Sequence, residues 1–162
     1  MRKLTAAILR SDAPTATILI RLAVGGVFLT EGIQKLLFPS ELGAGRFAKI
    51  GIPFPQFTGP FVGYVEIICG TLVLVGLLTR PASIALLINI SVAILSTKVP
   101  ILLGHGYWQF SLPKLAQYGV WSMLHEARTD FSMFLGLLFL LIAGAGRWSA
   151  DVWLVNKGGP PG

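Results

Sequence analysis

Four long apolar stretches, separated by short polar or proline-rich segments, dominate the chain. The first covers 16–38 and is opened by Ser11, Asp12 and Pro14, residue types that suit a helix start. The second covers 59–78, and the third 81–103 with a boundary expected near Pro100. The fourth has an apolar core at 131–146. It reaches a full crossing, 128–148, when the polar residues before it and Trp148 after it join the helix. Each run approaches the roughly 20 residues that a helix needs to cross about 30 Å of hydrocarbon. Helices are the economical solution because every backbone N–H must be satisfied inside lipid. No segment alternates with the period of two that a membrane barrel strand requires. Only Thr79 and Arg80 separate the second and third runs, which predicts a tight antiparallel hairpin. The pattern therefore predicts an all-α membrane protein: a four-transmembrane-helix bundle over 16–155 with aromatic-rich outer loops. Residues 1–15 form a tail before it, and 156–162 a flexible tail after it.

Composition strengthens the membrane reading. Of 162 residues, 54% are hydrophobic and 12% charged, against about 45–50% and about 25% for an average soluble domain. A formal charge of +6 would raise nucleic acid as a partner in a soluble protein. Here the basic residues sit at the edges of apolar runs, where they anchor helices and set orientation. The partner expected is the lipid bilayer, and nucleic acid is excluded. Arg2 and Lys3 make a basic start, but 4–9 is too short an apolar core for a signal peptide before Arg10 interrupts it. Four spans put both termini on one side. That side carries Arg2, Lys3, Arg10, Arg80, Arg147 and Lys157 in short segments, so the positive-inside rule makes it cytoplasmic. Cys69 stands alone, which leaves neither a disulfide framework nor a dithiol redox pair.

The outer loops, 39–58 and 104–129, carry Phe47, Phe54, Phe57, Tyr107, Trp108, Phe110, Tyr118 and Trp121. They read either as an interfacial aromatic belt or as a cap over an outward-opening cavity. Ionisable residues within the spans are functional candidates by default, because each costs roughly 2.5–3.5 kcal/mol to insert. Glu31 and Glu66 each lie seven residues from the outer end of a span, about 10 Å deep at 1.5 Å per residue. Gly59, Gly63, Glu66, Gly70 and Val73 form one stripe, as do Arg21, Gly25, Phe28, Gly32 and Lys35. Small residues at that spacing permit close helix contact, so Glu66 is expected inside the bundle. Glu31 reaches Lys35 one turn later, and the two can be read as a neutralising pair that lets the first span insert. Glu66 can be read as a structural ion-pair partner of Lys35 or Arg128. Alternatively, the two carboxylates share a proton and act in proton transfer. Gln34, Lys35, Trp121, His125 and Arg128 complete a candidate ligand site. The third span presents Ala82, Ala85, Asn89, Ala93 and Ser96 on a small face, with Asn89 expected to hydrogen-bond between helices. Arg21 and Lys98 are expected to snorkel to the headgroups. His105 and His125 lie outside the spans, which disfavours haem ligation. His125, Glu126 and Asp130 lack zinc or di-iron spacing, so no metal is expected.

The segments RLAVGGVFLTEGIQK (21–35), YVEIICGTLVLVGLLTRPAS (64–83) and HEARTDF (125–131) resemble, in order, three blocks of the DoxX family of small bacterial membrane proteins. The resemblance spans about 21–153. It implies a four-helix bundle in the bacterial inner (plasma) membrane. Some relatives are linked to quinone-dependent oxidoreductases, such as a thiosulfate:quinone oxidoreductase subunit or a terminal quinol oxidase component. A mycobacterial relative is associated with an oxidative-stress complex that contains a superoxide dismutase and a sulfurtransferase. The expectation is a redox-associated membrane subunit, compatible with a quinone-linked oxidoreductase. It would bind a quinone or similar amphipathic molecule near the outer leaflet and work with a redox partner protein. No redox centre of its own is encoded, so quinone is the cofactor implied. Two rival readings are a non-catalytic scaffold that docks a soluble enzyme and a small proton-coupled transporter, the latter requiring a homo-oligomer to form a pore.

Overall fold

The computed structural model describes Ser11 and residues 13–157. The expected N-terminal tail at 1–10, Asp12, and the end of the C-terminal tail at 158–162 lie outside the described residues. The chain is helical: α1 (Thr17–Leu37), α2 (Ala44–Ile50), α3 (Pro55–Val75), α4 (Thr79–Leu103), α5 (Val120–Ala143) and α6 (Ala150–Lys157). Among the described residues there is no β-strand, only an isolated bridge between Tyr107 and Phe110. Helices α1, α3 and α4 are long and apolar enough to cross a membrane. The fourth long helix, α5, differs from them in its polar first half, which carries His125, Glu126, Arg128 and Asp130.

Helix α3 starts at Pro55 rather than at 59, because a proline in the first turn needs no N–H and brings its φ already set. It ends at Val75, where Gly76 takes φ +73°. The hairpin turn is therefore Gly76–Leu77–Leu78, and Thr79 and Arg80, expected to form it, open α4 instead. The reason is a distant cap. The Asp151 carboxylate accepts the N–H groups of Leu78 (2.7 Å) and Thr79 (3.1 Å), which satisfies the first turn of α4. Helix α4 also continues through Pro100 instead of ending there. Residues Ile94–Lys98 form a π-helical turn, and this extra residue relieves the crowding that a proline imposes on the preceding turn. Helix α5 starts at Val120, so His125 lies on a helix rather than in a loop.

Glycines bring α1 and α3 backbone to backbone. A Cβ on Gly25 would lie 2.8 Å from the Gly70 carbonyl, and one on Gly32 would lie 2.6 Å from the Gly63 carbonyl. The buried residues of α3 are Gly59, Gly63, Glu66, Gly70 and Val73, the stripe its sequence predicts. Val24, Phe28, Val73, Leu86, Leu137 and Leu140 form the core where α1, α3, α4 and α5 meet. On α4 the most buried positions are Thr79, Ala82, Ser83, Leu86 and Ile90, so the expected small face is rotated and Ala85 and Asn89 lie at its margin.

Candidate functional site: a shared ammonium inside the bundle

Glu66 lies near the middle of α3 and is only 4% exposed. The glycine contacts set α1 close enough for Lys35 to reach it, and the ammonium sits 2.7 Å from Glu66 Oε2. The same ammonium lies 3.4 Å from Glu31 Oε2, one turn back on α1. From α4, Asn89 Nδ2 donates to Glu66 Oε1 at 2.7 Å. Three helices thus converge on one carboxylate. The Lys35 side chain is 12% exposed and that of Glu31 47%, so the cluster runs from a closed centre at Glu66 to an open edge at Glu31. Two carboxylates around one ammonium carry a net negative charge when all three are ionised. Such a group can take up a proton, or hydrogen-bond an incoming carbonyl or hydroxyl, without breaking any backbone bond.

The other candidates stand apart from this centre. Gln34 is half-buried beside Lys35 on α1. Arg128 is exposed and its guanidinium turns back to the carbonyl of His125 on its own helix, while Glu66 is held by Lys35 and Asn89. His125 and the exposed Trp121 line an open groove of about 330 Å³ at the start of α5, with Leu115, Gln117 and Glu126. The structure therefore joins Glu31, Lys35 and Glu66, and leaves Trp121, His125 and Arg128 on α5, outside that cluster. His105 is exposed, with Nδ1 2.8 Å from the Gly106 carbonyl. Among the described residues no group of three or more His, Cys, Asp or Glu could hold a metal ion.

Two side chains read as snorkelling anchors do something else. Lys98 is 12% exposed and pairs with Asp130 of α5 at 3.2 Å. At a regular 100° per residue it would lie opposite Asn89, away from the small face, but the π turn adds a residue and changes its direction. Arg21 is 2% exposed. Its Nε donates to the Val73 carbonyl (2.9 Å), Nη2 to Leu74 (2.5 Å), and Nη1 to Trp148 (2.6 Å) and Ala145 (3.2 Å). It caps the C-terminus of α3 and ties it to the segment leading into α6, where orphan carbonyls and the helix dipole favour a cation. Asp151, 1% exposed, completes this knot from α6, and its own N–H donates to Gly76 (2.9 Å). The sequence reading did not single out Asp151. The available signal was an acid placed among the basic residues of that end, Arg80 and Arg147.

The DoxX family profile matches residues 16–99, from the start of α1 to the π turn of α4. The chain is 52% identical over 144 residues to an uncharacterized membrane protein of Mycobacterium tuberculosis (strain ATCC 25618 / H37Rv), covering 89% of this chain and 84% of that protein. No solved structure matches the chain. By both sequence comparisons the chain belongs to the DoxX family.

Proposed function

We propose that this protein is a membrane subunit that presents the Glu31–Lys35–Glu66 cluster to the polar head of a quinone or similar amphipathic molecule. The observation that carries the reading is the shared ammonium: two carboxylates on adjacent helices compete for Lys35, 2.7 and 3.4 Å away, within the bilayer-length part of the bundle. In water such charges are commonplace, but in a bundle they are expensive and mark a site of use. Lys35 hydrogen-bonds the quinone carbonyl, and Glu66 or Glu31 supplies protons that water restores. Reduction to the quinol takes two electrons and two protons. The electrons come from a redox partner protein, since this chain has no motif for a redox centre. Helix α5 completes a four-span bundle in this reading, with both termini on the cytoplasmic side of the plasma membrane and Glu31 toward the outer leaflet.

One observation favours a second reading. Glu66 is satisfied by Lys35 and Asn89, so the cluster can also serve as a purely structural pin in a scaffold that docks a soluble enzyme. Mass spectrometry of lipids co-purified with the gently extracted protein separates the two. Stoichiometric quinone in the wild type that is lost in Lys35→Met and Glu66→Gln supports the redox subunit. Lipid profiles without quinone, and the same in all three proteins, sink it in favour of the scaffold.

A further inference from the structure

The seam between α1 and α5 carries two opposite charges that do not meet. The helices touch at Gly136, where a Cβ would lie 2.5 Å from Val24 Cγ2 and 3.7 Å from Ile20 Cγ2. Ile20, Val24 and Glu31 recur at helical spacing, so Glu31 lies on the side of α1 that faces this seam. His125, Arg128, Ser132 and Gly136 share the corresponding face of α5. From the Val24–Gly136 contact, Glu31 is seven residues up α1 and Arg128 eight residues up the antiparallel α5, about 10 and 12 Å at 1.5 Å per residue. The two charges therefore sit at nearly one depth. Both residues are exposed. Glu31 shares Lys35 with Glu66, which holds the ammonium more closely, and the Arg128 guanidinium bonds the His125 carbonyl. Among the described residues, Arg128 has no carboxylate partner.

We infer that this seam is the contact face of a twofold dimer, in which Glu31 of each copy pairs with Arg128 of the other. Copies inserted with one topology can be related only by an axis along the membrane normal, so pairing groups must lie at equal depth, as these do. A twofold contact uses the same patch on both copies, and a patch bearing one carboxylate and one guanidinium is complementary to itself. Each dimer then contains the ion pair twice. The small, exposed Ser132 keeps the outer side of the seam low enough for a second copy to approach, while Gly136 is taken up by Val24 of its own chain. The second copy's guanidinium also adds a cation beside the open edge of the Glu31–Lys35–Glu66 cluster. This inference stands without the ligand reading, and its test reads association rather than ligand content.

Two differently tagged copies, both carrying Cys69→Ser, are co-expressed and treated in their native membrane with a flexible bismaleimide that joins two thiols, because a Glu–Arg pair holds its Cα atoms farther apart than a disulfide can span. One carries Glu31→Cys and the other Arg128→Cys. A covalent product bearing both tags is expected, and none when the second copy carries Ile88→Cys on the exposed face of α4 instead. In lipid nanodiscs or mild detergent, Glu31→Arg and Arg128→Glu should each weaken association by about tenfold, since two symmetric pairs are lost. The double swap should recover the wild-type value to within about threefold. The dimer is overturned if no product carries both tags, if Ile88→Cys gives as much, or if the double swap fails to recover association. It is likewise overturned if the reagent links the two positions only inside one chain carrying both cysteines, which would show that the seam closes within a protomer.

Discussion

Besides the Lys98–Asp130 pair between α4 and α5, two polar groups lie within this bundle, and they differ in what satisfies them. At one end, Arg21 and Asp151 hydrogen-bond main-chain groups: the last carbonyls of α3, the carbonyls of Ala145 and Trp148, and the first N–H groups of α4. In the body of the bundle, Glu66 is held by Lys35 and Asn89, side chains on helices whose backbone is already paired. The first arrangement completes helix ends that would otherwise be orphaned in a medium without water. The second completes nothing in the backbone, so its bonds can be exchanged for those of a ligand without loosening a helix. Buried charge that serves the main chain is architecture, whereas buried charge that serves only other side chains is available for chemistry.

The largest expected effect breaks the architectural side. Arg21→Ala removes four hydrogen bonds and leaves Asp151 without its nearby cation, and should cost about 3–5 kcal/mol in unfolding experiments in mixed micelles. Arg21→Lys should recover little of this, because one ammonium cannot replace a fork that reaches carbonyls in two directions. A loss below about 1 kcal/mol would erase the distinction between the two groups. Next comes the packing that both groups depend on. Gly32→Val puts methyls where the Gly63 carbonyl and the Glu66 side chain lie, and should cost about 1–3 kcal/mol while separating Lys35 from Glu66. Loss of bound quinone beyond the loss of folded protein would show that the close approach of α1 and α3 builds the site.

How far these residues were legible in the sequence follows the same division. The α3 stripe was readable because glycines at helical spacing signal close contact and Glu66 falls on that stripe. The link from Glu31 to Lys35 is local, four residues along one helix. Arg21 was misread because its acceptors are carbonyls 52 to 127 residues away, and a backbone acceptor leaves no mark in the side-chain pattern. Asp151 escaped for the same reason, since its partners are N–H groups of residues 72 and 73 positions earlier. Lys98 was misplaced because an unbroken 100° step cannot foresee the π turn before Pro100. Regular periodicity reveals side chains that answer to one another across helix faces. It is blind to those that answer to helix ends or follow a change of pitch.

A third prediction replaces the exchangeable pair outright. Lys35→Met combined with Glu66→Leu and Asn89→Leu removes both charges and the amide that would lose its acceptor while keeping similar volumes, so stability should stay within about 1 kcal/mol of wild type or rise. Bound quinone should nonetheless be abolished. A loss comparable to that of Arg21→Ala would mean that the mid-bundle cluster is as architectural as the end knot.

The smallest effect concerns the open edge. Glu31 is 47% exposed and 3.4 Å from an ammonium that Glu66 holds more closely, so Glu31→Gln should change stability by less than about 1 kcal/mol. Its consequence should appear elsewhere. Removing one of two competing carboxylates leaves Lys35 to Glu66 alone, which strengthens the pair that a ligand must open. Quinone affinity should therefore fall severalfold, whereas Glu31→Asp, which keeps the charge, should hold most of it. Equal affinity in Glu31→Gln and wild type would show that competition for Lys35 is not what makes the cluster available, and would place all of its chemistry on Glu66.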